Sequence, residues 1–158
     1  MTKDRLIIAS GMQGTGVSTV VAAMQAVTTV FDVVDAGARW GDIAEQCRAG
    51  FTRLIAVTTD DLVAITSTYA LIKLVREHFA ESPIEVLVNA SDERNALRTY
   101  ERIQHAASHF LNETVSYAGS IPHDGELGSV VTTAIHNVVF RLEEMPPFKA
   151  RLGGAYHV

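Results

Sequence analysis

Five short apolar runs, each followed by a stretch with helical spacing, constrain this chain more than any other feature. The runs cover residues 6–10, 30–35, 54–58, 84–89 and 115–119. They are partly β-branched and too continuous for strands with one wet face, so they predict strands buried on both faces. The intervening spacing predicts helices over residues 18–27, 40–48, 61–79, 92–111 and 125–143. Strict strand–helix alternation leaves few topologies: right-handed crossovers and a parallel sheet covered by helices on both sides. Asp60 or Asp61 suits the N-cap of the third helix, whose apolar face includes Leu62, Ile65, Tyr69, Ile72 and Val75. Ser91 suits the N-cap of the fourth, with Arg94 in place of the capping-box Glu.

At 158 residues the chain fits one domain whose single core needs no covalent staple. That domain is read as residues 1–145, followed by an extended arm over 146–158 that carries two prolines and the pair Gly153–Gly154. The net charge of −5, with no basic run, argues against nucleic acid or an anionic membrane as the main partner. One cysteine, Cys47, leaves no internal disulfide, which suits a reducing compartment. No apolar run approaches the roughly 18–20 residues of a membrane span, so no stable membrane insertion is expected and the cytoplasm is the expected location.

The first run leads into Gly11-Met12-Gln13-Gly14-Thr15-Gly16-Val17-Ser18-Thr19, which opens a helix. Glycines there let the backbone curl so that its N–H groups point inward, and the helix N-terminus adds partial positive charge. The pattern G-x-x-x-x-G-K-[ST] is met at Gly11, Gly16 and Ser18, but its lysine position holds Val17. Two readings stay open. Either backbone N–H groups and Ser18 hold a phosphate, or a strand-to-helix turn keeps the shape and binds nothing. Efficient hydrolysis is a separate claim, because phosphoryl transfer depends on positioning and positive charge, and Val17 supplies neither.

The loop resembles the deviant x-K-G-G-x-G-K-[ST] loop of the MinD/ParA ATPases. Phe31-Asp32-Val33-Val34-Asp35-Ala36-Gly37-Ala38 is similar to that family's strand ending in D-x-[GP]-A-G, with Arg39 where the closing glycine is expected. Ile55-Ala56-Val57-Thr58-Thr59-Asp60-Asp61 and Ala64-Ile65-Thr66-Ser67-Thr68-Tyr69-Ala70-Leu71-Ile72-Lys73 resemble the flagellar-number-regulator (FlhG-type) branch. Val86-Leu87-Val88-Asn89 and Gly119-Ser120-Ile121-Pro122-His123-Asp124 resemble its later motifs. The resemblance covers about residues 5–136. It implies a three-layer α/β/α sandwich of the P-loop NTPase type, with about five parallel strands in the order 2-1-3-4-5. It also implies a nucleotide site at Gly11, Gln13, Gly14, Thr15, Gly16, Val17, Ser18, Thr19, Asn89 and Pro122. ATP or ADP would bring magnesium to Ser18 and Asp35, with no cofactor as the open alternative, and no catalytic residue is assigned.

The departures bear on function. Both family lysine positions are apolar here, at Met12 and Val17, and Asp60 stands where the branch has proline. The first helix runs almost directly into the Asp35 strand, where the family normally has a further strand. The membrane helix of MinD has no counterpart in residues 146–158. The implied function is a regulator acting through protein contacts, with flagellar or polar-assembly machinery as partner and weak or absent ATP hydrolysis. The alternatives are an ATPase completed by a partner subunit and a scaffold that binds no nucleotide. Lacking its outer neighbour, the strand over residues 30–35 is expected at a sheet edge, covered either by the arm or by a second subunit, the homodimer being favoured. Trp40 is read as a packing anchor, Asp124 as a helix cap or nucleotide contact, and His105 with His109 as a solvated helix face.

Overall fold

The computed structural model describes residues 3–122 and 128–144. Strands β1 (Asp4–Ala9), β2 (Phe31–Gly37), β3 (Arg53–Thr58), β4 (Ile84–Val88) and β5 (Ser116–Ser120) form one parallel sheet. Their order, β2-β1-β3-β4-β5, is the one the family resemblance implies. The helices are α1 (Val17–Val27), α2 (Trp40–Arg48), α3 (Leu62–His78), α4 (Glu93–Ala106) and α5 (Gly128–Glu144). The arm over residues 146–158 and Asp124 lie outside the described residues.

Period-two alternation along the central strands feeds two apolar layers. Leu6 and Ile8 of β1, with Ile55 and Val57 of β3, pack with Val20, Val21 and Met24 of α1 and with Ile135, Val138 and Leu142 of α5. Ile7, Ala9, Leu54 and Ala56 turn the other way, onto Ile43 of α2, Ile72 and Val75 of α3 and Ile103 of α4. A strand covered on both faces has no polar side to show, which is why β1, β3 and β4 read as continuous apolar runs. The half-buried Trp40 packs against the end of α3, its ring 5.3 Å from His78 and 6.5 Å from Phe79. Cys47 is buried in the α2 side of the core, and burial pushes its thiol up to about 11 against the opposing pull of Arg5 and Arg48.

Several local expectations change. β2 is not buried on both faces: Asp32 and Asp35 are exposed while Phe31 and Val33 are buried, and among the described strands β2 pairs with β1 alone. It is therefore an edge, as expected, but its two largest apolar side chains face inward. The exposed apolar residue there is Val30, just before the strand. Leu62 does not belong to the buried face of α3; it is 71% exposed, and Ala64, Thr68 and Leu71 take the inner positions. Asp61, not Asp60, caps α3 by accepting from the Ala64 N–H. Asp92, not Ser91, caps α4 by accepting from the Asn95 N–H, since the Ser91 hydroxyl instead donates to Asp60 Oδ2 at 2.8 Å. The helix expected over 92–111 breaks its pitch at Ala107–Leu111, a π-helical turn closed by Asn112 in the left-handed region.

The largest departure from apolar packing is a buried ion pair at the amino end of the sheet. Arg53 Nη1 lies 3.5 Å from Glu85 Oε1, with the two side chains 2% and 1% exposed. The Arg53 guanidinium also sits 6.0 Å from the Phe31 ring centroid. Removing one partner leaves the other charged group buried. Glu85→Ala is expected to lower unfolding free energy by about 3–5 kcal/mol, measured as a shift of the urea midpoint; a loss under about 1 kcal/mol would mean that the pair is effectively solvated.

Candidate functional site

β1 lies between β2 and β3, and the crossovers that leave β1 through α1 and β3 through α3 run to opposite faces of the sheet. Ligands in open α/β sheets bind at such a switch point. The loop that fills it is anchored by Ser10, which is fully buried. Its hydroxyl donates to the Met12 carbonyl at 2.8 Å and accepts from Thr15 Oγ1 at 2.7 Å. Gly11 lies so close to α3 that a Cβ there would stand 2.1 Å from the Ser67 carbonyl oxygen. Gly14 and Gly16 have φ of 88° and 91°, the left-handed conformations that glycine adopts without strain.

Asn89, at the end of β4, reaches under the loop, where its Nδ2 donates to the Thr15 carbonyl at 2.8 Å. A Cβ on Gly16 would come within 2.3 Å of that same nitrogen. Asn89 thus braces the loop, a contact that sequence reasoning did not anticipate. Ser10 was missed as well. The one signal for it is a polar residue closing an otherwise apolar buried run.

On the outer side, the Ser18 hydroxyl in the first turn of α1 donates to Asp35 Oδ2 at 2.8 Å. The register between β1 and β2 slips by one residue beyond Ile8 and Asp35, so that Ala9 pairs with Gly37. Gly37 donates its N–H to Asp35 Oδ1 at 2.9 Å, and its carbonyl accepts from the Ser10 N–H at 2.9 Å. Residues 12–19 with Gly37, Ala38, Arg39 and Asp42 enclose an open cleft of about 410 Å³. Val17 borders the cleft but is only 8% exposed and belongs to the apolar layer under α1.

The structure therefore brings Gln13, Gly14, Thr15, Gly16, Val17, Ser18 and Thr19 to one cleft, with Asp35 bonded to Ser18 and Asn89 behind the loop. Pro122 lines a separate cavity of about 310 Å³ beside β5 and α5, with Ser91, Tyr117 and Arg141. His105 and His109 stack with ring centroids 6.0 Å apart, but no group of three or more His, Cys, Asp or Glu residues suited to a metal occurs among the described residues. Magnesium, by contrast, needs only one or two protein oxygens when phosphates and water complete its shell. The Ser18 hydroxyl and Asp35 carboxylate are oxygens of that kind, so a phosphate-borne magnesium fits there.

A glycine loop between a central parallel strand and a helix, with a serine hydroxyl on a strand-end aspartate, is the arrangement of a P-loop NTPase-like α/β fold. No family model matches the chain. It is similar to the antiactivator FleN of Pseudomonas aeruginosa strain PAO1, with 27% identity over 121 residues, 75% of this chain and 43% of FleN. The chain thus spans less than half the length of this curated relative. Among solved structures it shares its fold with the MinD cell division protein of Aquifex aeolicus, at a TM-score of 0.59 and 13% identity over 90% of this chain and 98% of that one. It also shares its fold with a candidate plasmid partition protein of Borrelia burgdorferi B31 bound to AMPPNP, at a TM-score of 0.64 and 10% identity over 90% of this chain and 100% of that one. The chain thus has the fold of the MinD/ParA proteins and is similar in sequence to FleN over three quarters of its length.

The glycines of the loop differ in what they do, and alanine substitutions separate them. Gly11→Ala drives a methyl group into the α3 backbone and is expected to cost about 3 kcal/mol or more. Gly14→Ala meets nothing within 4 Å, so its cost is confined to left-handed strain of about 1–2 kcal/mol. Equal losses in thermal or urea unfolding would refute the packing role assigned to Gly11.

Proposed function

We propose that the protein is a regulator of the MinD/ParA type that holds a nucleotide phosphate in the loop cleft and acts through protein contacts, with little or no ATP hydrolysis. The observation that carries this reading is a loop whose shape is kept while the lysine positions are apolar. Ser18 meets Asp35, and Gly14 and Gly16 take their left-handed turns, yet Met12 and Val17 bring no charge. Backbone N–H groups and a helix N-terminus can hold an anion without a lysine. Transition-state charge on a transferring phosphoryl group needs closer positive charge than they provide.

FleN is by name an antiactivator, which supports a role exercised on another protein. The resemblance to flagellar-number regulators points to flagellar or polar-assembly machinery as that partner, in the cytoplasm. No helix among the described residues is long and apolar enough to cross a membrane. A homodimer fits the same reading, because β2 is an edge whose outer backbone groups no described strand pairs.

Thermal unfolding with and without ATP–Mg or ADP tests the binding half. At 100 times the dissociation constant a ligand adds about 2.7 kcal/mol, which for a domain of this size raises Tm by about 5–10 °C. No shift with either nucleotide would favour the scaffold. In parallel, the purified protein is expected to show no measurable turnover. A turnover abolished by Ser18→Ala would make it an ATPase.

Light scattering across a concentration series tests the edge. A monomer–dimer equilibrium weakened by Val30→Lys is expected, since Val30 is 47% exposed beside the edge and tolerates a charge when unpaired. A monomer at every concentration would overturn the homodimer.

A further inference from the structure

We propose that Arg39 is the phosphate-gripping cation of the loop cleft, taking from the β2–α2 side the part left vacant at position 17. This rests on the reading that the cleft holds a nucleotide and names the residue that makes it selective for a nucleoside di- or triphosphate.

Position 17 cannot supply the charge. Val17 is apolar, 8% exposed, and packed in the layer under α1. Met12, at the other family lysine position, borders the cleft without a charge. Among the described residues that line the cleft, Arg39 is the one cation.

Arg39 reaches the cleft from a backbone that is itself well fixed. Its carbonyl accepts from the Ile43 N–H at 3.0 Å as the N-cap of α2. Two residues earlier, Gly37 is tied both to Asp35 and to Ser10. The segment from Asp35 to Arg39 therefore joins the carboxylate beside Ser18 to a guanidinium on the same cleft.

The side chain has no strong competing partner in the cleft. Its contact there is with Asp42, at 3.9 Å, and the two side chains are 81% and 62% exposed. Such an exposed pair contributes little and gives way to a better anion. A guanidinium offers a planar fork of donors that matches two phosphate oxygens at once. Asp42 opposes phosphate entry through its own charge. The cleft would then distinguish phosphorylated nucleotides from adenosine chiefly through Arg39.

Isothermal titration of the full chain with ATP–Mg, ADP and adenosine tests this on wild type, Arg39→Ala, Arg39→Lys and Asp42→Asn. Arg39 is exposed, so its variants should melt near the wild-type temperature, which thermal unfolding checks. Arg39→Ala is expected to weaken ATP and ADP by about 10- to 100-fold while leaving any adenosine binding unchanged. Arg39→Lys should recover part of that loss, and Asp42→Asn should tighten the nucleotides by a few-fold. Wild-type binding of ATP or ADP with unchanged affinity in Arg39→Ala overturns the role of Arg39 and leaves the nucleotide site standing. Wild type that binds neither nucleotide overturns the site and the role of Arg39 together.

Discussion

The carboxyl edge of the sheet depends on one close approach, the Gly11 backbone lying against the Ser67 carbonyl of α3. Any side chain at position 11 would push loop and helix apart, because a Cβ would stand 2.1 Å from a backbone oxygen that cannot rotate away. With that contact in place, Ser10 can close its hydroxyl network inside the loop and Asn89 can reach the Thr15 carbonyl from β4. The loop after β1 is thereby fixed against both α3 and the end of β4. A phosphate loop is usually explained by what it binds, but here the first glycine is required by packing alone. A chain that had lost nucleotide binding would still need it.

That distinction explains how far sequence could go. The fold was legible because β1, β3 and β4 are buried on both faces, and continuous apolar runs separated by amphipathic ones admit few alternatives. β2 was harder, since an edge strand alternates, and its exposed Asp32 and Asp35 dilute the apolar signal. Arg53 and Glu85 were not anticipated. A buried pair between strands leaves no local pattern, and each residue alone reads as a solvated charge. The cap of α4 moved by one residue because Ser91 is engaged by Asp60, a partner 31 residues away. At the site, the glycine spacing exposed the loop but not its bracing by Ser10 and Asn89. Nor did it show that Arg39, noted as a departure from the family pattern, borders the cleft.

Charge placement decides what the cleft can do. A lysine at position 17 would start from a Cα whose present side chain is packed in the core, and its stem would have to leave that layer to reach a phosphate. Arg39 starts from the rim, in water, on the far wall of the cleft. A cation held at the rim can add to ground-state binding of a phosphate. It is poorly placed to follow charge that develops on a transferring group, which requires donors already aimed at the transition state in a water-excluded site. Binding without turnover is the combination that such an arrangement favours, and it is the combination a regulator can use.

The strand at the edge of the described sheet also carries the aspartate that meets Ser18. Asp35 and Gly37 belong to β2, Arg39 lies two residues beyond its end, and among the described strands β2 pairs with β1 alone. Its outer backbone groups and its cleft-side residues belong to one short segment, with Gly37 both in the strand and in the cleft lining. A partner strand laid along β2 would restrict the very segment that holds Asp35 against Ser18. A phosphate in the cleft would in turn restrict the segment that the partner must meet. If both favour the same arrangement of residues 35–39, each strengthens the other by the same factor, since coupling between two binding events is reciprocal. An edge strand that carries Asp35 therefore has two physical consequences at once: it leaves backbone groups open to another chain, and it places the Ser18–Asp35 contact where that chain would be felt.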